Sequence, residues 1–346
     1  MKDELNNNNK PQKKIGKLQI LFLLLLVVGT VFILSQHRSH VVFYESHGKI
    51  FGTYYNIKYE HTERLDSAIL ERLRMVDNSL SMFNQQSAVA KINRNESIHG
   101  DDYLCKVLSL ALSISHETEG SFDVTVAPLV NLWGFGFERI DTVSPLMIDS
   151  LLDFVGYKKV QLVEKEVLKS DPRVMLDFSS IAKGFGVDIV ARFLDSVSVN
   201  NYMVEIGGEV VVKGTNSNGN AWTIGVSEPV EDGGEELNTL LHLSSGGLAT
   251  SGNYRRFYYK NGKRYAHTVD PKTGYPVEHQ LLSATVLAKD CATADAYATA
   301  FMVMGKDATQ KFLEHKENID AYLIYVDDRG QLNTWSTEGM KRYLHK

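Results

Sequence analysis

The sequence is poor in cysteine and has no basic excess. Only Cys105 and Cys291 occur among 346 residues, in neither a CxxC nor any other metal-type spacing. That excludes a cysteine-built metal centre. The sequence does not show that the two meet, and two ordinary buried thiols are expected. Acidic residues outnumber basic ones, 42 to 37, for a formal charge of −5. A nucleic-acid binder carries a basic excess, so that class is set aside. No solenoid-type repeat is present, and low complexity is confined to the asparagines at 6–9. With 43% hydrophobic content, the chain suffices for one large domain or two small ones. No clean boundary divides it beyond the N-terminal region.

Residues 1–17 are polar, with Lys10, Lys13, Lys14 and Lys17 ahead of the apolar run LQILFLLLLVVGTVFIL at 18–34. Such a run has about the length needed to cross a bilayer, at the short end of roughly 17–25 residues. Lysines before it place the N-terminus in the cytoplasm. Two readings compete, a cleaved signal peptide and an uncleaved signal anchor. The following Ser35-Gln36-His37-Arg38 lacks a small-x-small cleavage site, and no cysteine is there to carry a lipid. The anchor is therefore favoured. The expected organisation is a cytoplasmic basic tail (1–17), a single-pass inner-membrane anchor (18–34), and a main domain (41–346) on the periplasmic or exterior side.

Within the main domain, apolar spacing predicts helices over 64–80, 87–92, 103–117, 145–154 and 292–304. Strands are expected in 47–59, either as a pair or as one strand kinked at Gly52. Further strands are expected at 160–163, 166–168, 202–213 around Gly207-Gly208, 222–226, 240–243 and 282–288. Residues 231–236 read as a polar loop.

Three segments carry chemistry. In MLDFSSIAKGFGVDIVARFLD (175–195), a short strand reaching Asp177 meets a Ser-Ser turn and a helix with Lys183, Gly184 and Gly186 in its first turn. Free N–H groups and the helix dipole favour an anion there, although Ser and Gly also serve as plain caps. In TSGNYRRFYYKNGKRYAHTVDPKTGYP (250–276), Asn261-Gly262 is a strong hairpin signal. The hairpin places Arg255, Arg256, His267 and Asp270 near one another. Arginine offers forked donors to phosphate, and histidine moves protons near neutral pH. In ATADAYATAFMVM (292–304), Asp295 and Thr299 are four apart and share a helix face. Beside a phosphate site they suit a hard cation such as magnesium. Alone, Asp295 would simply favour the helix dipole.

Together these segments resemble the ApbE family of FAD:protein FMN transferases. The resemblance is carried by GKIFGTYYNI, VDNSLSMFNQQS, GSFDVTVAPLVNLWGFG, LDFSSIAKGFGVD, VEIGGEVVVKG, the 250–276 string and ADAYATAFMVMG, in the family's order, from about Gly48 to the C-terminus. It implies an α+β fold with mixed sheets and packed helices. It also implies FAD as substrate, Mg2+ as cofactor, and transfer of FMN to a Ser or Thr hydroxyl of a target protein with release of AMP.

The family's flavin-contacting positions fall on Phe51, Phe83, Ser121, Phe122, Asp123, Asp177, Lys183 and Val269. Its metal positions fall on Ser180, through the carbonyl, and on Asp295 and Thr299; its histidine falls on His267. Phe51 stands where many members have Met, Ala88 where many have Glu, Ala298 where some have an acid, and Asn253 where Asp is frequent. An FAD pyrophosphatase and a non-catalytic FAD-binding module remain open as alternatives. By analogy, the partners are flavoprotein subunits of membrane redox complexes of the NADH:quinone reductase or Rnf type.

Overall fold

The computed structural model describes residues 16–36, 41–135, 143–229, 235–253, 257–260, 263–266 and 268–344. The chain divides into two units, Met1–Val42 and Phe43–Lys346. The first holds helix α1 (Lys17–Gln36). Its side chains are described only over 20–30, where Ile20 to Val28 are half or more exposed. Among the described residues no helix is long and apolar enough to cross a membrane, so the anchor stands as an expectation.

The second unit is built on an eight-stranded sheet. In chain order its strands are β1 (Val42–Ile50), β2 (Thr53–His61), β3 (Val160–Val163), β4 (Glu166–Lys169), β5 (Tyr202–Ile206), β6 (Glu209–Lys213), β7 (Trp222–Pro229), β8 (Glu235–Leu243), β9 (Ser245–Gly252), β10 (Phe257–Lys260), β11 (Lys263–Ala266), β12 (Leu281–Ala288), β13 (Asp320–Val326) and β14 (Leu332–Ser336). The large sheet runs β1-β2-β5-β6-β9-β12-β13-β14, and β3-β4, β7-β8 and β10-β11 form separate two-stranded ribbons. From β2 to β14 every neighbouring pair is antiparallel.

The helices are α2 (Asp66–Leu80), α3 (Ala88–Asn93), α4 (Asp102–Glu117), α5 (Ala127–Leu132), α6 (Pro145–Leu152), α7 (Ala182–Ser196) and α8 (Cys291–Leu313). Their amphipathic spacing does its expected work. On α4, Leu104, Val107, Leu108, Ala111 and Ile114 are all buried, and Asp101 caps the start by accepting from Tyr103 N and Leu104 N. Helix α7 packs on α2, α8, β5 and β6; α8 packs on β9 and β12.

Strand pleat sorts the side chains of β6. Val210 and Val212 join the cluster under the β7-β8 ribbon, with Trp222, Leu241 and Leu243. Glu209 and Val211 alternate to the other face, where Val211 packs with α7.

Three readings need correction, the first being the 231–236 loop, whose Glu235 and Glu236 open β8. The segment expected as a strand up to Asp177 is irregular, tied into place by Asp177 N donating to Val124 O at 2.7 Å. The Gly/Ser-rich segment 245–252, given no element by its sequence, is the sheet strand β9. Residues 47–59 resolve into a strand pair turned at Phe51-Gly52, both with left-handed φ (52° and 73°).

Candidate active site

Two glycines bring the site together. A Cβ at Gly184 would lie 2.4 Å from Cys291 O, and one at Gly247 would lie 2.4 Å from Cys291 N. Both contacts are with backbone, so only glycine allows the first turn of α8 to sit between α7 and β9. Asp188 of α7 then accepts from Cys291 N at 2.8 Å and Ala292 N at 2.9 Å, while Asp290 caps Thr293 N. One turn further along, α8 presents Asp295 and Thr299.

Lys183, in the first turn of α7, lies 2.6 Å from Glu209 Oε1 and 3.9 Å from Asp295 Oδ1. Gly184 N donates to Asp295 Oδ2 at 3.0 Å. Asp295 and Glu209 are 2% and 3% exposed, whereas the Lys183 side chain keeps 29% of its surface in solvent. Burial alone would lower Lys183; the Asp295 and Glu209 carboxylates outweigh it and hold the ammonium above the usual lysine range. Burial pushes the Asp295 carboxyl up, against the pull of Lys183 and the Gly184 N–H. It also raises Glu209, again against Lys183.

The start of α7 differs from the open anion site its sequence suggests. Ile181 N and Ala182 N both donate to Phe178 O, and Gly184 N is taken by Asp295. Three of its early donors are occupied, which leaves Lys183 as the stronger attraction for a phosphate.

The remaining predicted residues spread around this centre. Ser180 lies in the turn just ahead of α7, and Thr299 Oγ1 is 3.4 Å from Ser251 Oγ. The Asp177 carboxylate accepts from Ser179 N at 2.8 Å and from the Ser179 hydroxyl, and burial raises it. Phe51 leans over α7, its ring 2.6 Å from where a Cβ on Gly186 would sit. Phe83 is 66% exposed. Ser121 is buried, and the Phe122 ring, 1% exposed, fills the main core. Val269 packs with Leu129, Trp133 and Ile148.

Asp123 is engaged within the protein. It accepts from Thr125 N at 2.8 Å, Thr125 Oγ1 at 2.6 Å and Tyr157 N at 2.6 Å, and burial raises its carboxyl. Trp133 donates Nε1 to Gly274 O at 2.7 Å and so pins the Pro-Lys-Thr-Gly turn. His267, Arg255, Arg256 and the Asn261-Gly262 tip lie outside the described residues.

The sequence reading did not find Glu209, Asp188 or Ser251. The Gly207-Gly208 turn was a signal for Glu209 only in hindsight of the strand pleat, which turns it toward α7.

The donors suit a magnesium ion. Asp295 Oδ1 receives no hydrogen bond from the described residues, Thr299 and Ser251 add only oxygen, and so would the Ser180 carbonyl that the resemblance assigns. No group of three or more His, Cys, Asp or Glu that could hold a metal ion occurs among the described residues. Magnesium usually keeps waters and substrate phosphates in its shell beside one or two carboxylates, and this donor set is of that kind.

A family model described as the ApbE family matches residues 51–323. A Haemophilus influenzae protein named FAD:protein FMN transferase is 40% identical over 301 residues, covering 82% of this chain and 86% of that protein. A Vibrio cholerae protein of the same name is 35% identical, covering 86% and 92%. Among solved structures, the flavin transferase ApbE from Vibrio cholerae superposes with a TM-score of 0.81 at 34% identity, covering 88% of this chain and all of that one. The apo flavinyl transferase ApbE of Pseudomonas stutzeri gives 0.77 at 30% identity, covering 88% and 96%. With its fold, its motifs and most of its length matched in this way, the chain belongs to the ApbE family.

Proposed function

We propose that this enzyme is an Mg2+-dependent FAD:protein FMN transferase. It attaches FMN through a phosphoester to a Ser or Thr of a target flavoprotein. The observation that carries the reading is the meeting of part-exposed Lys183 with buried Asp295, at the junction of α7 and α8, within a family whose relatives bear that name.

The reaction exchanges one phosphorus–oxygen bond for another. The acceptor oxygen bonds to the FMN phosphorus, the bond to the AMP phosphate breaks, and AMP leaves with the electron pair. The hydroxyl proton passes to a base, assigned to His267 on the family resemblance. Such chemistry needs positioning and charge neutralisation more than covalent help. Lys183 meets the pyrophosphate oxygens, and Phe51 and Phe83 flank the flavin. Mg2+, held by Asp295, Thr299 and the Ser180 carbonyl, would neutralise developing charge on the phosphates.

The apolar run at 18–34, preceded by lysines, supports a single membrane anchor with the enzyme on the exterior side. Respiratory flavoprotein subunits of the NADH:quinone reductase or Rnf type are the acceptors that fit this placement.

The test is mass spectrometry of a candidate acceptor domain after incubation with the full-length chain in detergent, FAD and magnesium. A covalent gain of one FMN, lost in Asp295→Ala and His267→Ala, is expected. Free FMN and AMP with an unmodified acceptor would make the enzyme a pyrophosphatase. Bound, intact FAD without product would leave a binding module.

A further inference from the structure

Two buried carboxylates and a part-exposed lysine converge where α7, α8 and β6 meet, and among the described residues the lysine is at hydrogen-bond distance from one of the two. Lys183 Nζ is at hydrogen-bond distance from Glu209 Oε1, 2.6 Å, and stands off Asp295 Oδ1 at 3.9 Å. Asp295 Oδ2 is satisfied by Gly184 N, which leaves Oδ1 without a donor at bonding distance among the described residues. Glu209 Oε2 is buried and has no hydrogen-bond partner among the described residues. A lysine ammonium has three donors on a flexible stem. A shift of about 1 Å would bring it onto Asp295 Oδ1 in a full hydrogen-bonded ion pair. Such a pair, with its carboxylate buried, would have to be broken before any cation could use that oxygen, and leaving a buried carboxylate unpaired is costly.

We propose that Glu209 is a positioning residue: by holding the Lys183 ammonium on Oε1 it keeps the lysine off Asp295 Oδ1, so that this oxygen stays open to a divalent cation. The fold supports the role. The Gly207-Gly208 turn, with φ of 65° and 106°, delivers Glu209 as the first residue of β6. The pleat then turns it to the α7 side while Val210 and Val212 face the other cluster. The inference rests on Asp295 being a cation ligand, and the experiment separates the two claims.

The probe is Mn2+ alone, its free fraction counted by electron paramagnetic resonance at pH 8, with the full-length chain. Wild type is expected to bind and Asp295→Ala to lose binding. Glu209→Gln is expected to weaken Mn2+ binding about tenfold or more, because the released lysine closes on Asp295. Glu209→Gln combined with Lys183→Met is expected to recover wild-type affinity, since nothing then competes for the oxygen. Lys183→Met alone is expected to bind at least as tightly as wild type.

Unchanged affinity in Glu209→Gln overturns the proposal. So does a double variant as weak as the single one, which would mean that Glu209 acts by packing or by direct ligation. Weaker binding in Lys183→Met overturns it too, even should Glu209→Gln fail to fold. Equal binding by wild type and Asp295→Ala would instead remove the cation-ligand reading and the inference with it.

Discussion

The carboxylate of Asp188 caps the helix that follows it in space, accepting the Cys291 N–H at 2.8 Å. Burial lifts this acid to about 7, against the two backbone donors of Cys291 and Ala292. An acid whose pKa is raised on folding binds its proton more tightly in the folded chain. Its contribution to stability is therefore complete below the ordinary value of 3.8 and is lost as pH rises through about 7. The rise corresponds to about 4 kcal/mol at most, lost mainly between pH 4 and 7. Asn at this position keeps a carbonyl acceptor and does not ionise. The melting temperature of Asp188→Asn, compared with wild type, is expected to improve steadily from pH 4 to pH 7 and to level off above it. Glu209, also raised by burial, is present in both proteins and cancels. Melting curves that stay parallel across this range would rule out the assignment.

Gly247→Ala is expected to damage stability and cation binding together. The added Cβ would fall 2.4 Å from Cys291 N and 2.5 Å from Asp290 C, neither of which can swing aside. Helix α8 would have to lift from β9, at a cost of about 1–3 kcal/mol typical of overpacking. Asp295 and Thr299 ride on the same helix and would move with it. A urea midpoint equal to wild type would show that the helix has room to spare.

The three hydrogen bonds into Asp123 make a structural prediction about a residue the family resemblance assigns to flavin. Asp123→Ala leaves the buried Thr125 N–H and the part-buried Tyr157 N–H unpaired. Each such orphan costs about 1–3 kcal/mol. Denaturant unfolding should therefore show a large loss of stability. Flavin affinity in whatever fraction remains folded should change little. A variant of normal stability with strongly weakened FAD binding would return Asp123 to the ligand.

What the sequence disclosed and what it withheld follow from how local each signal is. Helix α4 was legible because its five apolar positions recur at helical spacing and all reach the core. The helix expected over 292–304 stops where Gly305 takes φ 77°, ψ 175°, and helical residues resume beyond it in α8. Strand β9 was hidden because SGGLATSG has the composition of a turn. Its small residues serve instead the close approach of α8, a tertiary fact with no local trace. Lys183 and Asp295 were reached through motifs. Glu209 was not, since one acid after a Gly-Gly turn reads as an ordinary hairpin flank until the strand pleat is known. The expected strand at 175–177 failed because Asp177 bonds across to Val124 rather than into the sheet.

Phe83 and Phe122 separate flavin contact from core filling in one experiment. Both are aromatic and both fall on flavin positions by resemblance, yet Phe83 is 66% exposed and Phe122 is 1% exposed. Phe122 packs in the main cluster with α4 and α8 residues, so Phe122→Ala should cost about 3–5 kcal/mol, as large-to-small core changes do. Phe83→Ala removes a ring that the fold leaves largely in water, so its stability should stay within about 0.5 kcal/mol of wild type. If that ring closes over the flavin, its loss should weaken FAD binding by roughly 2- to 10-fold, the range of one aromatic pair. Flavin fluorescence titration, run beside thermal melts of the same two variants, reads both quantities. An unchanged FAD affinity in Phe83→Ala would take this residue out of the site, and the exposed ring would then have to be explained by another contact.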